Sequence, residues 1–235
     1  MFVFALTLMI FTNATAQEKV IVAFGDSITA PRKNVVTYSD VIRSEFEKKG
    51  LNVKVINSGV GGNTTEHAKK RFEKDVLAHK PDLVILQLGT NDAAIDVWKD
   101  PPATESRVAI DVFEKNLRDF IKAIRAQNGK VILVTPPPKR WTEKMKGMYG
   151  KPPFDTEDED GWNLILKRYV TRIKNIAKDE KVILLDLNKA YYKYHKKKGQ
   201  SMDDLFLDGL HPNSKGQKIE ADLLLKLLKK MDFGL

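Results

Sequence analysis

The chain has 235 residues, of which 42% are apolar and 30% are charged, and its formal net charge is +9. This composition is typical of one globular domain and excludes a collagen-like, low-complexity or wholly disordered chain. The absence of cysteine excludes a disulfide framework, a thiolate nucleophile and any cysteine-ligated metal site.

The first predicted element is an export signal. Residues 1–11 are almost entirely apolar, no charged residue precedes Glu18, and Ala14-Thr15-Ala16 offers small residues at a cleavage site. The pattern predicts a signal peptide over residues 1–16 and a secreted or periplasmic chain over residues 17–235. The apolar run is short for a membrane span, so stable insertion is not expected, and a retained anchor is the alternative.

Five short apolar runs predict five strands. Each run is continuous rather than alternating, which is typical of a strand buried on both faces of a parallel sheet. The runs cover residues 20–24, 53–56, 83–88, 131–134 and 182–185.

Segments with apolar residues at helical spacing lie between these runs. The predicted helices cover residues 38–49, 65–79, 105–127, a stretch around 166–173, and 214–230. The alternation predicts a three-layer α/β/α sandwich around a five-stranded parallel sheet. The proline-rich and acidic stretch 136–160 is interpreted as an insertion after the fourth strand rather than a second domain.

Polar or glycine-rich segments follow the predicted strands or precede the last helix, and the carboxyl ends of parallel strands are where ligands bind. They read Gly-Asp-Ser-Ile-Thr at 25–29, Asn-Ser-Gly-Val-Gly-Gly-Asn-Thr at 57–64, Gly-Thr-Asn-Asp at 89–92 and Asp-Gly-Leu-His-Pro at 208–212.

These segments contain residues that can activate a serine for acyl transfer. Ser27 needs a base to become a nucleophile, His211 can serve as that base, and Asp208 can orient the imidazole from the same turn. An oxyanion needs aimed donors, for which the candidates are the backbone N–H of Ser27, the backbone N–H of Gly62 and the side chain of Asn91.

In this order the four segments resemble the SGNH hydrolase superfamily, also called GDSL-type lipases and esterases. The resemblance covers almost all of residues 17–235 and implies a flavodoxin-like sheet and ester hydrolysis through an acyl-serine, with neither metal nor organic cofactor. It assigns the nucleophile to Ser27, the oxyanion hole to Ser27, Gly62 and Asn91, and the acid and base to Asp208 and His211. Gly59 and Gly61 compete with Gly62 for its role.

Other readings of the same residues are structural. Ser27 can cap the segment that follows it, and Asp26 and Asp92 are expected to brace their loops. The glycine loop can be a phosphate cradle, as in a flavodoxin-like nucleotide-binding protein, although it matches no nucleotide motif. The remaining histidines are expected at the surface: His67, His79 and His195. The aromatic residues of the two longest connections can contact a substrate or pack as a lid: Trp98, Trp141, Tyr149, Phe154 and Trp162.

The expected function is an exported carbohydrate O-acetylesterase that takes a small-molecule or glycan ester. The alternatives are a lysophospholipase or arylesterase, and a non-catalytic glycan-binding module. The basic surface suits an acidic glycan or an anionic lipid. The densest basic cluster, Lys193 with residues 195–198, lacks the aromatic residues of a single-strand binder, so no nucleic-acid partner is expected.

Overall fold

The computed structural model describes residues 17–231 and 233–235, and the predicted signal peptide over residues 1–16 lies outside them. The described residues form five strands and seven α-helices. The strands are Lys19–Gly25 (β1), Val53–Gly59 (β2), Leu83–Gln87 (β3), Lys130–Val134 (β4) and Ile183–Leu185 (β5).

The helices alternate with the strands, and single 3-10 turns lie between some of them. The α-helices are Tyr38–Lys48 (α1), Thr65–Asp75 (α2), Ile110–Ala126 (α3), Glu143–Tyr149 (α4), Leu164–Asp179 (α5), Leu187–His195 (α6) and Ser214–Lys230 (α7). The 3-10 turns are Leu77–His79, Gly161–Asn163 and Met202–Leu205.

All neighbouring strands are parallel, in the order β2-β1-β3-β4-β5. The apolar residues of each strand divide between two core clusters. Val22 and Phe24 pack under α2, α3 and α5, whereas Ile21 and Ala23 pack under α1, α6 and α7. Successive strand residues point to opposite faces, so a strand covered on both sides is apolar throughout. The predicted three-layer α/β/α sandwich is confirmed.

The predicted helix 65–79 is interrupted. Its α-helical part ends at Asp75, and the chain continues as a 3-10 turn. The break occurs because Val76 leaves the helical conformation, with φ −129° and ψ −66°.

The predicted helix 105–127 begins only at Ile110. The backbone N–H groups of Arg107 and Val108 instead bind carbonyl groups of the loop after β3, at 2.9 and 3.2 Å. This pairing replaces the first helical turn and fixes Arg107 beside that loop.

Two helices lie where the sequence pattern predicts none. Helix α6 follows β5 directly, and α4 lies within the stretch 136–160. Met145 and Phe154 of this stretch, together with Trp162 just beyond it, pack on Ile95 and Val97 of the loop after β3. These five buried residues are here called the cap cluster. Among the described helices, none has the length and apolar character needed to cross a bilayer.

Glu220 of α7 is fully buried on one face of the sheet. Neither of its carboxyl oxygens has a hydrogen-bond partner among the described residues, and the amide nitrogen of Gln87 is likewise unpaired. Burial raises the pKa of Glu220 to about 8. The side chain of Gln87 lowers this pKa by a smaller amount, and the charge of Asp26 raises it further. Glu220 is therefore neutral in the folded protein at neutral pH.

Replacing Glu220 with glutamine is expected to stabilise the protein more at pH 8 than at pH 5. An unfolded glutamate ionises near its ordinary pKa of 4.5, whereas folded Glu220 keeps its proton until about pH 8. Its contribution to the free energy of unfolding therefore falls as the pH rises through that window. The gain from Glu220→Gln should be larger at pH 8 by about 3 kcal/mol, as judged from urea unfolding at both pH values.

The exposed Glu73 of α2 offers a matched control. Glu73→Gln makes the same chemical change on the surface. It should therefore change the free energy of unfolding by the same amount at pH 5 and at pH 8. A gain from Glu220→Gln that is equal at pH 5 and pH 8 would show that Glu220 is not held neutral by the fold.

Candidate active site

The carboxyl ends of β1 and β3 meet the loop that precedes α7. Ser27 follows β1, Asn91 follows β3, and His211 lies just before α7. Nε2 of His211 is 3.1 Å from Oγ of Ser27, although 184 residues separate them in sequence. The site lies at the β1–β3 pair, where the strand order reverses and ligands of such sheets bind.

Asp208 holds the other side of the imidazole. Nδ1 of His211 is 2.8 Å from Oδ2 of Asp208, and Oδ1 accepts hydrogen bonds from the backbone N–H groups of Leu210 and His211 at 3.0 and 2.8 Å. Partial burial alone would raise the pKa of Asp208, but the hydrogen bonds from His211 and Leu210 outweigh it and hold that pKa well below its usual range. Asp208 therefore stays ionised and fixes the ring.

Gly209 allows this turn to close against the chain that follows β4. Its φ is +81°, and a Cβ atom on Gly209 would lie 2.3 Å from the carbonyl oxygen of Arg140. The N–H of Arg140 donates to the Gly209 carbonyl at 2.7 Å. A residue with a side chain would break this contact, so glycine is required between Asp208 and His211.

The turn that carries Ser27 is held from two sides. Oδ1 of Asp26 accepts a hydrogen bond from the N–H of Ile28 at 2.9 Å. Gln217 of α7 donates through Nε2 to the Ile28 carbonyl at 2.7 Å and accepts through Oε1 from the N–H of Tyr38 at 2.8 Å. Because α7 begins soon after His211, Gln217 ties the serine turn to the histidine segment.

The last residue of β2, Gly59, and the two glycines of the loop that follows, Gly61 and Gly62, differ in their surroundings. A Cβ on Gly59 would lie 2.3 Å from the backbone nitrogen of Ala30, so Gly59 serves close packing. A Cβ on Gly61 would lie 4.0 Å from Cβ of Ser27, while Gly62 has φ +74° and open space beside it. Among the described residues, no acceptor pairs with the N–H of Ser27 or of Gly62. Both groups can therefore donate to a ligand.

The Asn91 amide is held in one orientation. Nδ2 donates to the Asn63 carbonyl at 3.0 Å, and Oδ1 accepts from Nη1 of Arg107 at 3.3 Å. Nε and Nη2 of Arg107 bind Oδ1 of Asp96 at 2.9 and 2.6 Å. One amide hydrogen of Asn91 remains for a ligand. No sequence motif points to Arg107 or Asp96. Arg107 lies 11 residues from Asp96 and 16 residues from Asn91, and only the folded connection between β3 and α3 brings these side chains together.

Two buried carboxyl groups brace the loops of the site. Burial raises the pKa of Asp26 to about 7, opposed by the Ile28 N–H and increased further by Asp92. Burial raises the pKa of Asp92 to about 6, although Thr65 donates to it from its N–H at 2.8 Å and its hydroxyl at 2.6 Å. Asp92 thereby connects the loop after β3 to the start of α2.

The arrangement can activate a hydroxyl group for attack on an ester. With Nδ1 protonated and bound to Asp208, His211 presents the lone pair of Nε2 to Ser27. The free N–H groups and the Asn91 amide supply donors for an oxyanion. Within the described residues, no group of three or more histidine and carboxylate side chains is arranged to hold a metal ion.

The aromatic residues of the long connections mainly pack on one another. Trp162 is 2% exposed and stacks on Trp141 with ring centroids 5.1 Å apart. Tyr149 lies 5.3 Å from Trp162 and packs with Phe154, whereas Trp98 is 46% exposed. Four of the five residues therefore pack on one another, and Tyr149, Phe154 and Trp162 also line a small cavity beside Asn91.

The three remaining histidines differ in their exposure. His67 and His79 are exposed, as predicted. The side chain of His195 is 35% exposed, and its Nδ1 accepts a hydrogen bond from the Met202 N–H at 3.2 Å. The unpredicted helix α6 places this ring against the following 3-10 turn.

A parallel sheet with a serine, a histidine and an aspartate in hydrogen-bond contact at its carboxyl edge is the arrangement of an ester hydrolase that acts through serine. Comparison with known families agrees. The chain belongs to the GDSL-like lipase/acylhydrolase family, whose model matches residues 23–219. The resemblance to the SGNH hydrolase superfamily is confirmed.

Two relatives of known activity and one solved structure are similar to the chain. The acetylxylan esterase of Geobacillus stearothermophilus is 28% identical over 179 residues, which cover 75% of this chain and 72% of that protein. The isoamyl acetate-hydrolyzing esterase of Saccharomyces cerevisiae is 26% identical, with coverage of 88% and 84%. The crystal structure of a lipase/acylhydrolase from Enterococcus faecalis matches with a TM-score of 0.68 at 27% identity, covering 91% of this chain and 96% of that one. The protein is a carboxylic ester hydrolase.

Proposed function

We propose that Ser27 is the nucleophile of this esterase and His211 its general base. The observation that carries the proposal is the 3.1 Å contact of Ser27 Oγ with His211 Nε2, with Asp208 on the other ring nitrogen. Ser27 Oγ bonds to the ester carbonyl carbon while His211 takes the hydroxyl proton, and this proton then passes to the leaving alkoxide, which departs as an alcohol. In the second half His211 takes a proton from water, whose oxygen bonds to the acyl carbon; the bond from that carbon to Ser27 Oγ then breaks, Oγ takes the proton back from His211, and the carboxylic acid leaves.

In this proposal three donors stabilise the oxyanion of each tetrahedral intermediate. They are the backbone N–H groups of Ser27 and Gly62 and the side-chain amide of Asn91. Arg107 acts as a positioning residue, because its hydrogen bond to Oδ1 of Asn91 turns the NH₂ group toward the site. Asp208 keeps the proton on Nδ1 and stabilises the imidazolium that forms at each step.

We further propose that the substrate is an O-acetylated carbohydrate. A groove of about 480 Å³ extends from Gly62, and seven of the ten residues that line it have polar or charged side chains. Such walls can bind sugar hydroxyl groups, whereas an alkyl chain would desolvate them without compensation. The main polar lining residues are Thr64, Glu66, His67, Asp96, Lys99 and Glu105. The two named relatives act on acetyl esters, and one of them on an acetylated glycan.

We also propose that the working enzyme is a single hydrolase domain of residues 17–235 outside the cytoplasm. Two observations support this, the signal-peptide pattern over residues 1–16 and the basic surface, which suits an acidic glycan. Export would bring the enzyme to glycans that lie outside the cell, so the two proposals are compatible.

The substrate proposal is tested by comparing acyl-chain lengths and leaving groups. We expect kcat/KM for 4-nitrophenyl acetate to exceed that for the octanoate by about tenfold or more, because the walls around the site are polar. Acetylated oligosaccharides should release acetate, and lysolipids should release little fatty acid. The reverse order, with efficient cleavage of lysolipids or the longer esters, would instead support the lysophospholipase or arylesterase alternative.

A further inference from the structure

A second, smaller cavity lies beside the oxyanion donors. Its volume is about 70 Å³, and its wall includes Asn91 and Leu210, the residue before His211. Its lining also includes Thr90, Lys139 and Trp162. The cavity therefore adjoins the site at which the ester carbonyl would lie, but it differs in charge from the larger groove.

The side chain of Lys139 is a buried amino group without an acidic partner among the described residues. Lys139 is 3% exposed, and Nζ lies 4.8 Å from the ring centroid of Trp162 and 5.5 Å from that of Phe154. Among the described residues, no oxygen accepts a hydrogen bond from Nζ, and no carboxylate forms an ion pair with it. The two aromatic rings attract the cation but leave its three donors unused. Burial and the nearby Arg107 lower the pKa of Lys139 to about 7.

A second unpaired polar group faces the same cavity. Thr90 is 5% exposed, and its hydroxyl has no hydrogen-bond partner among the described residues. Arg107 also lines the cavity but is paired with Asp96 through contacts of 2.9 and 2.6 Å, a carboxylate that it shares with Lys99. Lys139 is therefore the basic side chain of this cavity that has no acidic partner among the described residues.

The backbone around Lys139 is fixed. Its N–H donates to Oδ1 of Asn163 at 2.7 Å, and its carbonyl accepts from Nδ2 of Asn163 at 2.8 Å. The next residue, Arg140, binds the Gly209 carbonyl between Asp208 and His211. Lys139 is thus held at a set position relative to the proposed base, and such preorganisation is needed in a specificity site.

We propose that this cavity binds a carboxylate of the substrate, held by the Lys139 ammonium and the Thr90 hydroxyl, while the ester lies against Ser27. The proposal rests on the proposed function of Ser27 and Asn91. An anion would supply the acceptor that Lys139 lacks, and the water-poor site strengthens the pair. A buried amino group whose donors have no acceptor costs stability, so its retention beside the oxyanion donors indicates a binding role.

The size of the cavity limits what can enter it. A water molecule needs roughly 10 to 15 Å³ of such volume, so 70 Å³ admits a carboxylate group but not a sugar ring. The carboxylate must therefore lie within a few bonds of the scissile ester. It can belong to the acyl side, as in a half-ester of a dicarboxylic acid, or to the alcohol side, as in an acetylated uronic acid.

Matched pairs of charged and neutral esters test the proposal and separate the two sources. The acyl-side pair is 4-nitrophenyl hydrogen succinate and its methyl ester, and the alcohol-side pair is acetylated methyl glucuronoside and acetylated methyl glucoside. We expect the charged member of one pair to have the higher kcat/KM. The variant Lys139→Met should lower that charged-to-neutral ratio by about tenfold to a hundredfold. The exposed residue Lys193 provides the control variant, and Lys193→Met should keep the wild-type ratio.

A binding measurement covers the case in which Lys139→Met does not fold. The Ser27→Ala protein is titrated with monomethyl succinate and methyl glucuronoside, and with dimethyl succinate and methyl glucoside as neutral counterparts. Thermal stabilisation by one carboxylate but not by its neutral counterpart is expected. Equal binding of the carboxylates and their neutral counterparts would overturn the carboxylate site. So would a charged-to-neutral ratio of kcat/KM in Lys139→Met that stays within twofold of the wild-type ratio. Full esterase activity in Ser27→Ala would instead overturn the proposed function, so the two failures are distinguishable.

Discussion

Replacing Ser27 with alanine is expected to lower kcat for 4-nitrophenyl acetate by a factor on the order of 10⁴ to 10⁶. The variant lacks the oxygen that would form the acyl-enzyme, while the oxyanion donors remain and account for the residual rate. Burst-phase kinetics give a second measurement, because the wild type should release about one equivalent of 4-nitrophenol per active site whenever deacylation is slow. The variant should show no burst.

Ser44 of α1 offers a control for the loss of a hydroxyl group. Ser44→Ala makes the same chemical change away from the site and should keep the wild-type kcat. A Ser27→Ala protein that is folded and retains more than about a tenth of the wild-type rate would contradict the assignment of the nucleophile, since one lost triad member usually costs far more.

Replacing Asp208 with asparagine is expected to lower kcat by a factor on the order of 10³ to 10⁴. Oδ1 of the new residue can still accept from the N–H groups of Leu210 and His211, so the turn should keep its shape. The NH₂ group would then face Nδ1 and force the proton onto Nε2. In that tautomer His211 cannot take the proton of Ser27.

Asp222 of α7 is an exposed carboxylate that pairs with Lys218 and provides the control. Asp222→Asn should leave kcat unchanged, which separates the tautomer effect from the mere loss of a charge. Comparison of KM completes the test, because a wrong tautomer lowers kcat with little change in substrate binding. An Asp208→Asn enzyme with near-normal kcat would show that another group orients the ring.

The layers of the fold could be predicted because burial on both faces leaves a clear pattern in sequence. Every residue from Leu83 to Gln87 is buried, and all five apolar runs became strands. The last helix, Ser214–Lys230, was predicted at its observed bounds, since its apolar residues recur at helical spacing. Helix α3 starts later than predicted because long-range pairing of Arg107 and Val108 overrides local preference.

The proposed triad and oxyanion donors could be located from four motifs, since parallel strands bring their carboxyl ends to one edge. The supporting residues could not be found in this way. Gln217 binds Ile28 across 189 residues, and Asn163 fixes Lys139 across 24. Glutamine, asparagine and lysine occur throughout polar sequence, so only their packed positions reveal a role.

The link that Gln217 makes between the last helix and the serine turn has a consequence for protein synthesis. The ribosome produces Ser27 early and His211 close to the end, and the bonds to Ile28 and Tyr38 form only after α7 docks. On the proposed mechanism, a chain that ends before residue 211 would carry the serine without its base and would be inactive toward esters.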